Sequence, residues 1–233
     1  MSLTIRLLAL SPLPAIALSV AYFIHVYGAF GRVNGPWTSA GWTAVAVNIA
    51  LFTAFAAHLA MWARPHTRAW ITRHVPQELG RAAFIWSSAA VFALMLTAWR
   101  PVPGLAWHVS GNTLLALEVL CLTGLVLCGL ALAAIDRTEF LGLRQGLGLS
   151  PTKAELQTTG VYGLVRHPQY LGWIMLVWSL PVMTGTRMVF AATSTIYILL
   201  AVPNEERGLM AHFGPAYAHY RQKVKWRVFP FVY

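Results

Sequence analysis

Charged side chains are scarce. Asp, Glu, Lys and Arg together form 10% of the 233 residues, and acids account for just seven. A soluble globular domain carries about a quarter of its residues as charges, so that class is excluded. Cysteine is nearly absent too. Cys121 and Cys128 are the two in the chain. Seven apart on one helical face, they lie near each other but too far to bridge, which excludes a disulfide framework and leaves both as packing residues. No histidine pair with an adjacent acid has metal-site spacing, so no structural metal is expected. Internal repeats and low-complexity linkers are missing, and the longest polar insertions are too short to fold alone. One domain over 1–233 is the simplest organisation.

What fills the chain instead is apolar. Hydrophobic residues make up 58% of it and the mean hydropathy is +0.60, the signature of an integral membrane protein. About 20 consecutive apolar residues are needed to cross a bilayer as helix, and the runs 7–26, 41–62, 82–99 and 111–135 suffice. The runs 170–183 and 188–202 are shorter and separated only by Thr184-Gly-Thr-Arg187, so they read as a tight hairpin that crosses incompletely. The expected fold is an all-α integral membrane protein. It has about six transmembrane segments, including the short C-terminal helical hairpin, followed by cytoplasmic amphipathic helices.

The opening residues resemble a secretory signal, but the apolar run is long and no small-x-small cleavage site follows, so a retained first helix is expected. Orientation follows from where Lys and Arg fall. Arg6, then Arg64, Arg68, Arg73 and Arg81, then Arg137, Arg144, Lys153 and Arg166, and finally Arg207, Arg221, Lys223, Lys225 and Arg227 share one side, leaving Arg32, Arg100 and Arg187 opposite. Both termini are expected to be cytoplasmic in the inner (plasma) membrane. The net charge of +10 is spread over loops flanking the spans, where anionic lipid accounts for it. Nucleic acid is not an expected partner; the lipid bilayer is.

Ser150-Pro151 marks a helix start in a segment expected to lie along the cytoplasmic interface between 136 and 160. After the last span, Pro203-Asn204 followed by Glu205 and Glu206 reads as an N-cap with acids in the first turn, opening a short helix to Phe213. Gly214-Pro215 closes it, and Tyr217, Tyr220 and Val224 form the apolar stripe of a second amphipathic helix. Polar chemistry concentrates in two places: Thr159-Gly-Val-Tyr-Gly-Leu-Val-Arg-His-Pro-Gln-Tyr-Leu-Gly172 and Asn204-Glu-Glu-Arg207. In so apolar a chain, these suggest a polar ligand held at the membrane surface.

The pattern Gly160-x-Tyr162-x-x-Val165-Arg166-His167-Pro168-x-Tyr170-x-Gly172, with Glu205-Glu206-x-x-Leu209 and Phe213-Gly214-x-x-Tyr217-x-x-Tyr220, resembles the membrane-embedded S-adenosylmethionine methyltransferases. That family includes isoprenylcysteine carboxyl methyltransferase and phospholipid methyltransferase. Upstream, Ala63-Arg-Pro65, Trp70, Val75-Pro76, Arg81, Trp99-Arg-Pro101 and Phe140-x-Gly-Leu-Arg-Gln145 are similar to the bacterial methanethiol S-methyltransferase branch. The resemblance implies four N-terminal spans over 1–135, with a cofactor-binding hairpin and tail over 136–233.

The implied cofactor is S-adenosyl-L-methionine, facing the cytoplasm and enclosed by Gly160, Tyr162, Val165, Arg166, His167, Pro168, Tyr170, Gly172, Glu205 and Glu206. Arg166, His167 and Glu206 are the implied catalytic residues. A guanidinium pairs with carboxylates, so Arg166 and His167 suit the cofactor carboxylate or an anionic acceptor. Glu205 or Glu206 suits its ribose hydroxyls or amino group. Tyr162 and Tyr170 offer a hydroxyl or an aromatic face to the sulfonium, while Gly160 and Gly172 permit close backbone approach. The acceptor is a small thiol or another lipophilic molecule; lipid or isoprenylcysteine carboxyl methylation and phospholipid amine methylation are alternatives.

Blander readings stand beside these. Arg166 and His167 also fit positive-inside residues at a helix entry, Glu205 and Glu206 fit first-turn charges, and Tyr217 and Tyr220 read as interfacial anchors outside the site. Glu118 lies inside the fourth span, with Asn48 or Asn112 as hydrogen-bond partners. His58 fits a packed histidine, an acceptor-pocket residue or, with His25, a ligand of a haem-dependent membrane isomerase. A non-catalytic assembly factor is the third class.

Overall fold

The computed structural model describes residues 8, 10–32, 35–76, 79–135 and 155–233. The Met1-to-Arg6 opening, the Phe140-to-Gln145 motif and the interfacial stretch around Ser150-Pro151 lie outside these. In chain order the helices are α1 (Pro12–Ala29), α2 (Ser39–Ala63), α3 (Pro65–His74), α4 (Gly80–Ala98), α5 (Gly111–Ala133), α6 (Pro168–Trp178), α7 (Gly185–Phe213) and α8 (Pro215–Lys223). Among the described residues, α1, α2, α4, α5 and α7 are long and apolar enough to cross a bilayer. The protein is an all-α integral membrane protein. Helix α6 has 11 residues and rises about 16 Å, too short for the roughly 30 Å hydrocarbon core.

The chain divides into two compact units, one of the described residues up to Pro103 and one from Gly104 onward. In the first, α4 packs against both α1 and α2. The Trp86 indole donates to Ser11 Oγ at 2.7 Å, and the Tyr22 and Thr97 hydroxyls meet at 2.8 Å. Asn48, fully buried, bonds twice to the Arg100 backbone, donating from Nδ2 and accepting at Oδ1, each at 2.8 Å. His58 sits 3.3 Å from Ser87 Oγ and 3.5 Å from Ser88 Oγ, a packed histidine within hydrogen-bond reach of serines. His25 is exposed.

In the second unit, α5 packs against α6 through two glycines. A Cβ on Gly172 would stand 2.6 Å from the Gly124 carbonyl oxygen, and one on Gly124 would stand 2.7 Å from that of Gly172. Small residues allow such backbone approach in membranes. A two-stranded antiparallel ribbon pairs β1 (Leu105–His108) with β2 (Val182–Thr184); the short segments give too little alternation to show in sequence.

The hairpin and tail differ from expectation in two places. The chain leaves the helix at Ser179 rather than at 184–187, because Pro181 cannot extend it, and Thr184 caps α7 by accepting the Arg187 N–H at 3.3 Å. Helix α7 then runs unbroken through Pro203 to Phe213, so the predicted cap at Asn204 is absent and Asn204 instead accepts from Arg207. Pro203 deprives the Leu199 carbonyl of one hydrogen bond. Packing of Ile198 and Val202 against Ile174 and Val228 offsets that loss. Gly214, at φ +50°, closes the helix. Tyr217, Tyr220 and Val224 then pack against Leu209, Met210 and Phe213, the stripe read from sequence.

Candidate active site

The site grows from a turn. Gly160 has φ +61°, a conformation that glycine adopts without cost, and it starts the 3-10 turn Gly160–Gly163. The turn delivers Val165, Arg166 and His167 to the interior, each less than a tenth exposed. Pro168 then occupies the first turn of α6, where its missing N–H is harmless. The backbone before α6 is stitched to the tail: Arg166 N–H donates to the Trp226 carbonyl at 2.9 Å and His167 N–H to that of Arg227 at 2.8 Å.

Arg166 and Glu206 form the centre. Arg166 Nε donates to Glu206 Oε1 at 2.6 Å, while its Nη1 donates to the carbonyls of Val224 and Lys225 at 2.7 and 2.8 Å. The second Glu206 oxygen accepts from Arg227 Nε at 3.1 Å. One buried carboxylate thus holds two guanidinium groups, and breaking such a pair strands a charge at a cost of about 3–5 kcal/mol. The Tyr217 hydroxyl is buried beside this pair without a hydrogen-bond partner. Burial, then the Glu206 charge, pushes its pKa up to about 12, so it stays protonated at physiological pH.

Glu205 faces elsewhere. Its side chain is 44% exposed, and its Oε2 accepts from the Tyr170 hydroxyl at 2.7 Å. His167 lies between the two acids, Nδ1 at 3.8 Å from Glu205 Oε2 and Nε2 at 3.6 Å from Glu206 Oε1. Both distances exceed a hydrogen bond, and Nε2 is buried without a partner. The imidazole stacks on the Tyr170 ring at 5.5 Å. Burial and then the Glu205 charge raise the Tyr162 pKa, and its backbone carbonyl accepts the Tyr220 hydroxyl at 2.7 Å.

The structure therefore brings Arg166, His167, Tyr170, Glu205 and Glu206 into one cluster, with Tyr162 alongside. Gly172 does allow a close approach, but of α5. The sequence reading took Arg227 as membrane-flanking charge and Tyr217 as an interfacial anchor outside the site, and it missed the tail carbonyls; the structure sets all of them against the Arg166–Glu206 pair. Their one signal, the basic run 221–227, looked the same as membrane-flanking charge.

Residues 108–216 match the family described as phospholipid methyltransferase. The chain is 33% identical to methanethiol S-methyltransferase 1 of Bradyrhizobium diazoefficiens over 230 residues, covering 91% of this chain and 81% of that protein. It is 35% identical to the methanethiol S-methyltransferase of Pseudomonas deceptionensis, over 82% of this chain and 74% of that one. With the Mycobacterium tuberculosis protein of the same name, identity is 34% over 78% and 76%. No solved structure matches. The chain carries a polar cluster built on an Arg-His-Pro turn and a Glu-Glu helix, set in apolar helices, and it matches these enzymes along most of its length: this protein is a membrane methyltransferase and belongs to the phospholipid methyltransferase family, with the methanethiol S-methyltransferases among its relatives.

Proposed function

We propose that the protein transfers a methyl group from S-adenosyl-L-methionine to a small thiol of the methanethiol type, at the cytoplasmic face of the membrane. One observation carries the reading: a half-open carboxylate, Glu205, steadied by Tyr170 beside the closed Arg166–Glu206–Arg227 cluster. The relatives' names supply the thiol. The residues fit such a donor, since the half-exposed Glu205 carboxylate is accessible to its amino group or ribose and the Tyr170 hydroxyl fixes its orientation.

S-adenosylmethionine supplies a methyl group already activated by a sulfonium, so the chain's task is alignment and exclusion of water. Glu205, Tyr170, Tyr162 and His167 are placed to bind and orient. The aromatic faces of Tyr162 and Tyr170 suit a cation. Arg166 is engaged by Glu206 and two carbonyls, so it and Glu206 act as positioning residues that hold the 160–172 segment to the tail. Val165 and Pro168 fix the turn, Gly160 provides its φ, and Gly172 seats α6 against α5. A thiol acceptor reacts as thiolate, and a carboxylate acceptor needs no base.

Supplying methanethiol and S-adenosylmethionine to the detergent-purified protein should release dimethyl sulfide, detected in headspace gas, with S-adenosylhomocysteine as the co-product. Methylation of phosphatidylethanolamine instead would move the acceptor to the alternative suggested by the family description, and methylation of a prenylcysteine would move it to the carboxyl alternative. No transfer to any of the three from a folded sample sinks the proposal.

A further inference from the structure

The tail carries a second feature outside the Glu205 face. A cavity of about 580 Å³ opens among α7, α8 and the segment that follows, lined by Arg166, Arg221, Lys225, Arg227, Trp226 and Tyr233 among others. No acid lines it. Glu206 neutralises part of the charge of Arg166 and Arg227 from behind, whereas the side chains of Arg221 and Lys225 have no hydrogen-bond or ion-pair partner among the described residues. Like charges around one hollow repel, and an anion with several acceptor oxygens relieves that repulsion.

The rim beside this cleft is apolar. The Trp226 ring lies 5.5 Å from that of Phe231, and Phe231 and Val232 are 84% and 80% exposed. Phe231, at φ +66°, is the only non-glycine residue with positive φ among those described. An exposed aromatic and aliphatic tip is unfavourable in water. Next to a polybasic cleft on a membrane protein, it matches the bilayer interface, where apolar groups enter the acyl boundary and cations meet headgroups.

We propose that the cleft and tip form a docking site for the phosphate headgroup of an anionic phospholipid. Arg221 and Lys225 take the phosphate oxygens, and Trp226, Phe231 and Val232 lie at the acyl boundary. Arg166 and Arg227 line the same cleft while holding Glu206, so an occupying lipid bears on the order of the site. The docking site is independent of the methyl donor's identity.

The full-length protein in detergent, titrated with phosphatidylglycerol or phosphatidylcholine and followed by native mass spectrometry, tests this. Phosphatidylglycerol should be retained preferentially. In Arg221→Gln/Lys225→Gln that retention should weaken about thirtyfold, the loss of two basic contacts, with Phe231→Ser as a second, milder variant. The thermal shift given by S-adenosylhomocysteine should persist in both. Equal retention of the two lipids, or an unchanged double variant, overturns the proposal. Inorganic phosphate stabilising as well as phosphatidylglycerol overturns the lipid assignment in favour of a free-anion site. A double variant that loses the S-adenosylhomocysteine shift reassigns the cleft to the donor and overturns it equally. If wild type shows no such shift, the donor proposal fails while the lipid arms still decide this one.

Discussion

At the scale of single residues, the two adjacent acids separate by one step of the helix into different jobs. Glu206 is enclosed by Arg166, Arg227 and the His167 ring, whereas Glu205 has an accessible carboxylate. Glu206→Gln should therefore lower stability by about 3 kcal/mol, because two guanidinium groups lose their shared anion, and abolish turnover with it. Glu205→Gln should leave the melting temperature unchanged and raise the KM for S-adenosylmethionine at least tenfold. Matched thermal and kinetic data on both variants check the division, and equal thermal losses would refute it. Tyr217 adds a pH limb. Its pKa is raised from 10.0 to about 12 in the fold, so the folded state keeps a proton that the unfolded chain releases. Its contribution to stability is complete below pH 10 and is lost as pH rises towards 12. Melting curves across that window should show a fall, partly flattened in Tyr217→Phe.

Among elements, the α5–α6 contact and the exposed stretch of α7 give opposite expectations for one substitution. Gly172→Ala would drive a methyl group to 2.6 Å from the Gly124 carbonyl oxygen and 3.0 Å from the Cys128 nitrogen, both backbone atoms. It should separate the helices and cost at least 2 kcal/mol by overpacking. Gly208→Ala meets nothing within 4 Å and should stabilise α7 by up to about 1 kcal/mol. Thermal unfolding of the pair checks both signs. The elements also mark where sequence was readable. The long apolar runs gave α2, α4 and α5 to within about two residues, since hydropathy alone defines a span. The Arg-His-Pro and Glu-Glu motifs located the cluster because charge is rare in this chain. The ribbon escaped notice, as did the continuity of α7 through Pro203, because both depend on packing partners far away in sequence. So did the role of 224–227: a carbonyl that accepts from Arg166 has no residue type to betray it.

For the molecule as a whole, backbone bonds join the 160–172 turn to the tail at Arg166–Trp226 and His167–Arg227, and the proposed topology puts both on the cytoplasmic side. A reporter fused after Tyr233 should be active only where cytoplasmic folding permits, and an external signal would invert the topology. Removing residues 224–233 should leave an inserted protein without the S-adenosylhomocysteine thermal shift, since Arg227 and both Arg166-binding carbonyls go with them. The glycine contact has a further use. Both cysteines of the chain lie on α5, and Cys128 Sγ sits 2.7 Å from where a Gly172 Cβ would be, under α6, with Cys121 two turns away on the same helix as an internal reference. The wild-type protein therefore contains its own stopwatch for helix separation: the rate at which a membrane-permeant alkylating reagent consumes Cys128, relative to Cys121, counts the openings of α5 from α6 and needs no introduced label.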